Sequence, residues 1–310
     1  MQFNSREDII QMTPLWTGER LPDGRPLVPA QTLERIRNMS LEEVWQVCYE
    51  KGYDFLFQSG FIFSNNNGKP TVGRAVTSTF MPIREDLEIA MKRQLKAQGA
   101  KASYNMWVCD SLIEDDVWVT DFFDKIKYGT IIGGNLGTVI AKKTKRGGAV
   151  VWGGMRDLDQ LRTITDVNFY FRGIDPTPIR DHVMTGFNSP TRIGEAICLP
   201  GDVVYACESG VYFIPPHLAE EVAMEGEKTK VKDIFGFQRV REGRYDASAI
   251  DSFPWTMEMI EDFLDWLVSD DKAVPYRHLT WEADIEESRS GVRRFKRHST
   301  GTQSKQLHEV

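Results

Sequence analysis

The feature that most constrains the fold is a glycine-rich turn that joins a strand pattern to a helix pattern near the middle of the chain. A β-branched run ends at Ile132, two glycines follow at once, and apolar residues at helical spacing then cover residues 136–145. A second apolar run follows at 149–152. A strand, a tight turn, a helix and another strand form the basic unit of α/β domains, so the sequence predicts an α/β core.

Further strand and helix patterns extend this unit in both directions. The predicted strands are 70–82, 117–120, 149–152, 168–171, 202–205 and 211–214, and the predicted helices are 40–52, 84–100, 136–145 and 256–268. The short strands around 190–215 are typical of antiparallel or barrel structure, so we expect a mixed, layered sheet rather than a doubly wound one. Residues 1–33 contain four prolines and a Pro-Asp-Gly turn, which predicts a loop-like, extended arm.

The charge of the 310-residue chain is unevenly placed, and this bears on its partners. The net charge is −7, but residues 289–310 hold six basic side chains and one acidic one, which leaves −12 on residues 1–288. An acidic body disfavours nucleic-acid binding, which depends on clustered Lys and Arg. The basic tail is expected to be a solvated, poorly ordered end. Because no spanning apolar stretch or secretory pattern is found, a cytoplasmic protein without membrane contact is expected.

The four cysteines and five histidines show no metal-binding spacing. Cys48, Cys109, Cys198 and Cys207 include no C-x-x-C pair, and the histidines are scattered. Reduced, mostly buried thiols are expected, and a zinc site is not. A metal ion in this chain would have to be held by carboxylates and water.

The glycine turn is the first candidate binding site. Residues 131–138 have the sequence IIGGNLGT, so glycines run directly into the first turn of a helix. The first N–H groups of a helix lack partners and its dipole favours anions, which suits a carboxylate or a phosphate. The segment lacks the first glycine of G-x-G-x-x-G, because Ile132 occupies that position, and no P-loop lysine follows. A tight turn without a ligand is the alternative.

The second candidate lies at the end of the next strand. Residues 150–157 have the sequence VVWGGMRD, an apolar run followed by two glycines and then Arg156 and Asp157. Functional groups just past a strand end are typical of α/β active sites. Arg156 is suited to a bidentate grip on a carboxylate, and Asp157 to a hard divalent ion. A salt bridge at a surface turn is the alternative.

Together the two segments resemble one known family. The run GGNLGTVIAKKTKRGGAVVWGGMRDLDQLR is similar to RraA-like proteins. That family includes the class II 4-hydroxy-4-methyl-2-oxoglutarate/4-carboxy-4-hydroxy-2-oxoadipate aldolases, oxaloacetate decarboxylases and the regulator of ribonuclease E activity A. Its members are often mislabelled as demethylmenaquinone methyltransferases. VGRAVT at 72–77, PGD at 200–202 and ESGV at 208–211 support the resemblance.

The resemblance implies a fold and an assembly. It covers residues 40–225, which would form a swivelling β/β/α catalytic core with a mixed sheet or barrel. Residues 1–39 would then be an N-terminal arm, 226–288 a C-terminal helical extension, and 289–310 the basic tail. Family members are usually homotrimers or homohexamers, with active sites in clefts between subunits.

The resemblance also assigns roles to residues of this sequence. Arg156 would bind the carboxylate of the substrate, and Asp157 would hold Mg²⁺ or Mn²⁺. The backbone of Gly134, Asn135 and Leu136 would cradle the same carboxylate.

One position departs from the pattern of the family. In the aldolases an Asp lies 21 positions before the Arg, and that position here is Asn135. The family Asp orients a water molecule for proton transfer, whereas an amide cannot accept a proton at neutral pH. Asn135 is therefore a catalytic candidate by position only. Glu208 is a candidate second acid from a facing element, and His182 is either a polar loop residue or a catalytic one.

The resemblance, together with these residues, implies a metal-dependent lyase that acts on a small anionic 2-oxo acid. A retro-aldol cleavage or a decarboxylation would pass through an enolate that the metal ion and Arg156 stabilise. Decarboxylation needs no base for a hydroxyl proton, so the missing Asp favours it. The alternative is a non-catalytic regulator that binds a ribonuclease or another protein through the region 225–310. A methyltransferase is disfavoured, because no nucleoside-binding loop followed by an acidic strand end is found.

Overall fold

The chain forms two compact units in a computed structural model that describes residues 2–65 and 68–292. The first unit comprises the chain up to Leu41 together with Phe55–Ala219, and the second comprises Glu42–Asp54 together with the chain from Glu220 onward. The predicted arm thus belongs to the first unit. In the part of the chain that the structure describes, no helix is long and apolar enough to cross a membrane.

The strands all belong to the first unit. Within the described residues they are β1 (Gln2–Phe3), β2 (Phe57–Gln58), β3 (Ile62–Phe63), β4 (Thr71–Pro82), β5 (Asp116–Ile132), β6 (Gly148–Met155), β7 (Asn168–Ile174), β8 (His182–Phe187), β9 (Thr191–Ile193), β10 (Ala196–Cys198), β11 (Val203–Cys207) and β12 (Gly210–Ile214). Each strand predicted from the sequence overlaps one of these and is confirmed.

Helices are present in both units. In chain order they are α1 (Arg6–Met12), α2 (Ala30–Arg37), α3 (Leu41–Glu50), α4 (Glu85–Ala97), α5 (Tyr104–Ser111), α6 (Gly134–Thr144), α7 (Leu158–Leu161), α8 (Ala219–Arg241), α9 (Ala247–Ile250), α10 (Met257–Ser269) and α11 (Glu282–Ser290). The four predicted helices correspond to α3, α4, α6 and α10. The longest helix, α8, was not predicted as a separate helix, but α8 to α11 confirm the helical character expected for the C-terminal extension.

The strands of the first unit form one mixed sheet and a separate hairpin of β9 and β10. In the sheet β4, β5, β6 and β7 are parallel neighbours, and β11 and β12 continue it antiparallel beside β4. The ends of the sheet are β2, paired with β12, and β3, paired with β7. Because only residues 59–61 separate β2 from β3, the two ends lie close and the sheet curls into a barrel-like shape. The predicted α/β fold with a mixed sheet or barrel is confirmed.

Both faces of the parallel strands are covered, which explains their continuous apolar sequences. Successive side chains of a strand point to opposite faces. Val76 and Trp118 therefore lie in the core that packs against α4, α5, α6 and α7. Ala75 and Val117 face the inside of the curl, where the β9–β10 hairpin contributes Ile193. The result is a helical layer, a curled sheet and a small second sheet.

The prediction of a loop-like N-terminal segment is wrong for residues 6–12, which form α1, and for residues 30–33, which begin α2. The Ser5 hydroxyl accepts a hydrogen bond from the Asp8 N–H, and the Asp8 carboxylate accepts one from the Ser5 N–H. This capping box satisfies the free N–H groups that begin α1, and Ile9 is buried against the unit. The prolines that suggested a loop all lie between α1 and the start of α2.

The second unit has an aromatic core of its own. Phe235 of α8 packs against Trp255, Phe263 and Trp266, and Trp281 meets Phe263 edge to face. The apolar spacing of α10 places Met259, Ile260, Phe263 and Leu267 in this core. The basic tail predicted for residues 289–310 lies outside the described residues from position 293 onward.

Candidate active site

The end of β6 and the start of α6 meet at one place in the first unit. The N–H of Arg156 donates to the carbonyl oxygen of Ile132, which joins the two strand ends. The Gly134 N–H then donates to Asp157 Oδ2 at 3.1 Å. The two candidate segments identified separately in the sequence are therefore adjacent and joined by hydrogen bonds.

Side chains of the chain itself lie very close to Gly133 and Gly134. A Cβ on Gly133 would lie 2.4 Å from Asp157 Oδ2 and 2.9 Å from Arg156 Nε. A Cβ on Gly134 would lie 1.9 Å from Gln160 Oε1. These distances are far below van der Waals contact, so a side chain at either position would displace the ends of Asp157, Arg156 or Gln160 from the places they have here.

The turn holds two opposite charges at the surface. Asp157 has a left-handed backbone (φ 57°, ψ 41°), which is uncommon for a residue with a side chain. Its Oδ2 lies 3.4 Å from Arg156 Nε, and the two side chains keep 36% and 34% of their surface exposed. Both charges are therefore accessible to a ligand, and the strained backbone is typical of a functional site.

The beginning of α6 offers free donors beside these charges. Gly133 caps the helix without a side-chain hydrogen bond, and the first intrahelical bond runs from the Gly137 N–H to Gly133. The N–H groups of Asn135 and Leu136 consequently have no acceptor within the helix. The Asn135 side chain is exposed, and the helix dipole adds positive potential here. The Gly134 N–H, predicted as part of a substrate cradle, is occupied by Asp157.

Gly153 and Gly154, which precede Arg156, make room for the neighbouring strand β5. β5 and β6 pair regularly along their first halves, after which residues 122–130 pair only at Lys125 and Thr130 and otherwise bulge out of the ladder; we call this segment the β5 excursion. A Cβ on Gly153 would lie 2.8 Å from the Cβ of Phe122, and one on Gly154 would lie 2.8 Å from the carbonyl oxygen of Ile126. Glycine at these positions makes room for the β5 excursion.

The β5 excursion has a strained backbone, and an ion pair and a hydrogen bond hold it in place. Phe123, Asp124 and Tyr128 have positive φ values of 43°, 54° and 59°. Asp124 forms an ion pair with Arg172 at 3.1 Å, and the Tyr128 N–H donates to Thr177 Oγ1 at 2.7 Å. Three strained residues within one short segment need such contacts to persist.

Asp175 lies at the same sheet edge, at the end of β7. Its N–H donates to the carbonyl oxygen of Met155, the residue before Arg156. Its Oδ1 accepts hydrogen bonds from the N–H and the hydroxyl of Thr177. These bonds lower the pKa of Asp175, with a further contribution from the charge of Lys127. The sequence analysis missed Asp175, although an Asp-Pro-Thr run directly after a strand is a recognisable turn signal.

Of the two remaining sequence candidates, Glu208 lies at the other edge of the sheet, and His182 lies opposite Pro82 at the end of β4. Glu208 is in the turn between β11 and β12, where it borders a cavity of about 320 Å³ with Asn168 and Tyr170. Because β11 is antiparallel to β4, this turn lies at the edge where the parallel strands begin, opposite to Arg156. His182 is half-buried against Phe80, and burial lowers its pKa.

The donor set around Asp157 bears on the expected metal ion. Among residues 2–65 and 68–292, no cluster of three His, Cys, Asp or Glu side chains could hold a metal ion. Asp157 Oδ1 nevertheless has no hydrogen-bond partner among those residues, while Oδ2 is held by Gly134. One carboxylate oxygen with water and substrate oxygens is a common binding mode for Mg²⁺, so the residue fits such an ion.

A comparison with known protein families identifies one family within this chain. A family model described as RraA-like, Aldolase/RraA, matches residues 53–213. No curated protein matches the chain.

Three solved structures share the fold. An uncharacterized protein from Pseudomonas syringae pv. tomato is 17% identical, with a TM-score of 0.57 over 73% of this chain and 95% of that one. A structure from work on novel cellulases of gut-associated microbes is 19% identical, with a TM-score of 0.58 over 75% and 96%. Streptomyces coelicolor RraAS2, an unusual member of the RNase ES inhibitor RraA family, is 21% identical, with a TM-score of 0.54 over 72% and 98%. At these identities the structures show the fold alone. Because the family model covers just over half of the chain, the chain belongs to the RraA-like family.

Proposed function

We propose that the chain is a lyase that breaks the C3–C4 bond of a small 2-oxo acid, one carbon removed from the oxo group, with the help of a divalent metal ion. The observation that carries this proposal is the hydrogen bond from the Gly134 N–H to Asp157. It fixes an accessible Arg, an accessible carboxylate and a helix N-terminus beside one another. A 2-oxo acid presents the complementary groups, namely a carboxylate and an adjacent carbonyl oxygen.

The positive groups of the site would bind and polarise the substrate. Arg156 suits a two-point contact with the substrate carboxylate, and the free N–H groups of Asn135 and Leu136 add donors at the positive end of α6. Arg156 also places positive charge next to the oxygen on which an enolate develops during bond cleavage. Charge placed there before the reaction stabilises the transition state more than the ground state.

Asp157 would hold Mg²⁺ or Mn²⁺ through Oδ1. Such an ion, when bound, acts as a Lewis acid on the 2-oxo group. The Gly134 N–H keeps the carboxylate oriented by occupying Oδ2. A single protein ligand implies weak binding, so we expect the affinity for the ion to rise in the presence of substrate.

The residue at position 135 favours decarboxylation over aldol cleavage. Breaking an aldol requires a base for the hydroxyl proton, and the Asn135 amide cannot serve as one. Loss of CO₂ requires no such base. We further propose a cytoplasmic homotrimer or homohexamer, in keeping with the resemblance to the family.

A screen of 2-oxo acids with Mg²⁺ or Mn²⁺ tests the proposal, with pyruvate release as the readout. We expect Arg156→Ala and Asp157→Ala to lower kcat/KM for the best substrate by at least 100-fold. Arg162→Ala, an exposed arginine just after α7, is the matched control and should stay within threefold. Absence of metal-dependent turnover in the unmodified chain would contradict the proposal. Recovery of a ribonuclease with the chain in that case would favour the non-catalytic regulator.

A further inference from the structure

The strand beside Arg156 ends in a carboxylate that the proposed reaction has not used. β6 and β7 are parallel, and Met155 of β6 is opposite Ile174 of β7. Arg156 and Asp175 are the next residues along the two strands. Residues that lie opposite each other in a parallel pair point to the same face, and the strands are about 4.8 Å apart. The pairing therefore places the two charged residues side by side at one edge of the sheet.

The Asp175 carboxylate is ionised, as a proton acceptor must be. Thr177 donates two hydrogen bonds to Oδ1, which lower the pKa of Asp175 and keep the carboxylate ionised. The other oxygen, Oδ2, has no hydrogen-bond partner among the described residues. Asp175 is also only half-buried, so a water molecule can reach this oxygen.

The neighbouring groups leave this role open. Asn135 is an amide, and of the two Asp157 oxygens one accepts from the Gly134 N–H and the other would hold the metal ion. Lys127 of the β5 excursion is close enough for its charge to act on Asp175, and it would hold the carboxylate near its substrate-facing position. Asp175 is thus a carboxylate at the same edge of the sheet as Arg156, and its Oδ2 accepts no hydrogen bond from the described residues.

We propose that Asp175 is the proton carrier of this site and replaces the carboxylate that position 135 lacks. The assignment rests on the proposed function. In an aldol cleavage, Asp175 takes the hydroxyl proton through a water molecule, the bond between C3 and C4 breaks, and its electron pair forms the enolate of the 2-oxo acid. The same proton then returns from Asp175 to C3. In the exchange reaction of pyruvate, Asp175 removes a C3 proton and delivers a deuteron from the solvent.

Two reactions of the full chain separate proton transfer from binding. Exchange of the C3 hydrogens of pyruvate in D₂O, followed by NMR with Mg²⁺ or Mn²⁺ present, needs a base. Decarboxylation of oxaloacetate does not, because CO₂ leaves and water can protonate the enolate. We expect Asp175→Asn to lower the exchange rate at least 100-fold and to leave decarboxylation within threefold. Asp175→Glu should recover part of the exchange, and Asp159→Asn, an exposed acid on α7, should change neither reaction.

The outcomes distinguish this proposal from the function on which it rests. Exchange within threefold of the unmodified chain in Asp175→Asn overturns the role of Asp175 and leaves the lyase intact. An equal loss of exchange and decarboxylation shows that Asp175 only supports the loop at Thr177, and also overturns it. Failure of the unmodified chain in both reactions overturns the lyase and the proton carrier together.

Discussion

The guanidinium of Arg25 contacts the carboxylate of Asp116 at two points, with Nη1 2.8 Å from Oδ1 and Nη2 3.2 Å from Oδ2. Both residues are buried, with 2% and 0% of their surface exposed. Asp116 begins β5, and Arg25 lies between α1 and α2. The pair therefore fastens the N-terminal segment to the sheet, and this segment is an integral part of the first unit.

Removing one member of this pair should be costly. We expect Arg25→Met to lower the free energy of unfolding by about 3–5 kcal/mol, because Asp116 would remain as an uncompensated buried charge. Urea denaturation measures the change. Arg84→Met is the control, since Arg84 and Asp86 form an ion pair whose side chains are 76% and 70% exposed. Equal effects of the two substitutions would contradict the interpretation.

A methyl group at position 133 should disturb the candidate site directly. The Cβ of Gly133→Ala must displace Asp157 Oδ2, which it would meet at 2.4 Å. We expect pyruvate release to fall at least tenfold and stability to drop by about 1–3 kcal/mol, which is typical of overpacking. Gly236→Ala in α8, where the nearest atom is 3.2 Å away, should leave the reaction unchanged. An active Gly133→Ala variant would show that the turn can open without loss of function.

The stability of the first unit should depend on pH through Asp202. Burial raises the pKa of Asp202 to about 8, although the Leu199 N–H donates to its carboxylate. The folded state therefore binds this proton more tightly than the unfolded state, whose carboxyl titrates near 4. Stability should fall as the pH rises from about 4 to 8, by at most about 1.4 kcal/mol per pH unit for one proton. Asp202→Asn should flatten the profile in this window, and an unchanged slope would contradict the assignment.

Two phenylalanines of α8 should behave differently. Phe235 is fully buried in the aromatic core of the second unit, whereas Phe237 is 58% exposed. We expect Phe235→Ala to lower the free energy of unfolding of this unit by about 3–5 kcal/mol, and Phe237→Ala by less than about 1 kcal/mol. Tryptophan fluorescence follows the transition, since Trp255 and Trp266 pack on Phe235. Similar losses would mean that this face of α8 is also buried in solution.

The regular parts of the fold were predictable because they depend on local patterns. β-branched and aromatic runs predicted β4 to β7, and the glycine turn predicted the strand, turn and helix that bring Gly134 to Asp157. α1 was missed because its apolar face is a single buried residue, Ile9, next to a proline-rich stretch. The capping box at Ser5 was the signal that could have revealed it.

The rest depended on contacts between distant segments. No local pattern indicated that Gly153 and Gly154 make room for the β5 excursion. The importance of Asp175 depends on its register beside Met155, which no local pattern specifies. Glu208 was expected near the site, yet the direction of β11 places it at the opposite edge of the unit.

Residues 59–61 join β2 to β3, and the pairing of these two strands determines when the barrel can close during folding. β2 pairs with residues 211–212 and β3 with residues 170–171, each more than 100 positions later in the chain. Such pairings are slow to form because a long loop must close first. During synthesis, the segment around residues 57–63 therefore leaves the ribosome long before its partners exist. Until Tyr212 has been made, the barrel has an open seam, and this segment is the place where a chaperone or an unwanted strand would bind.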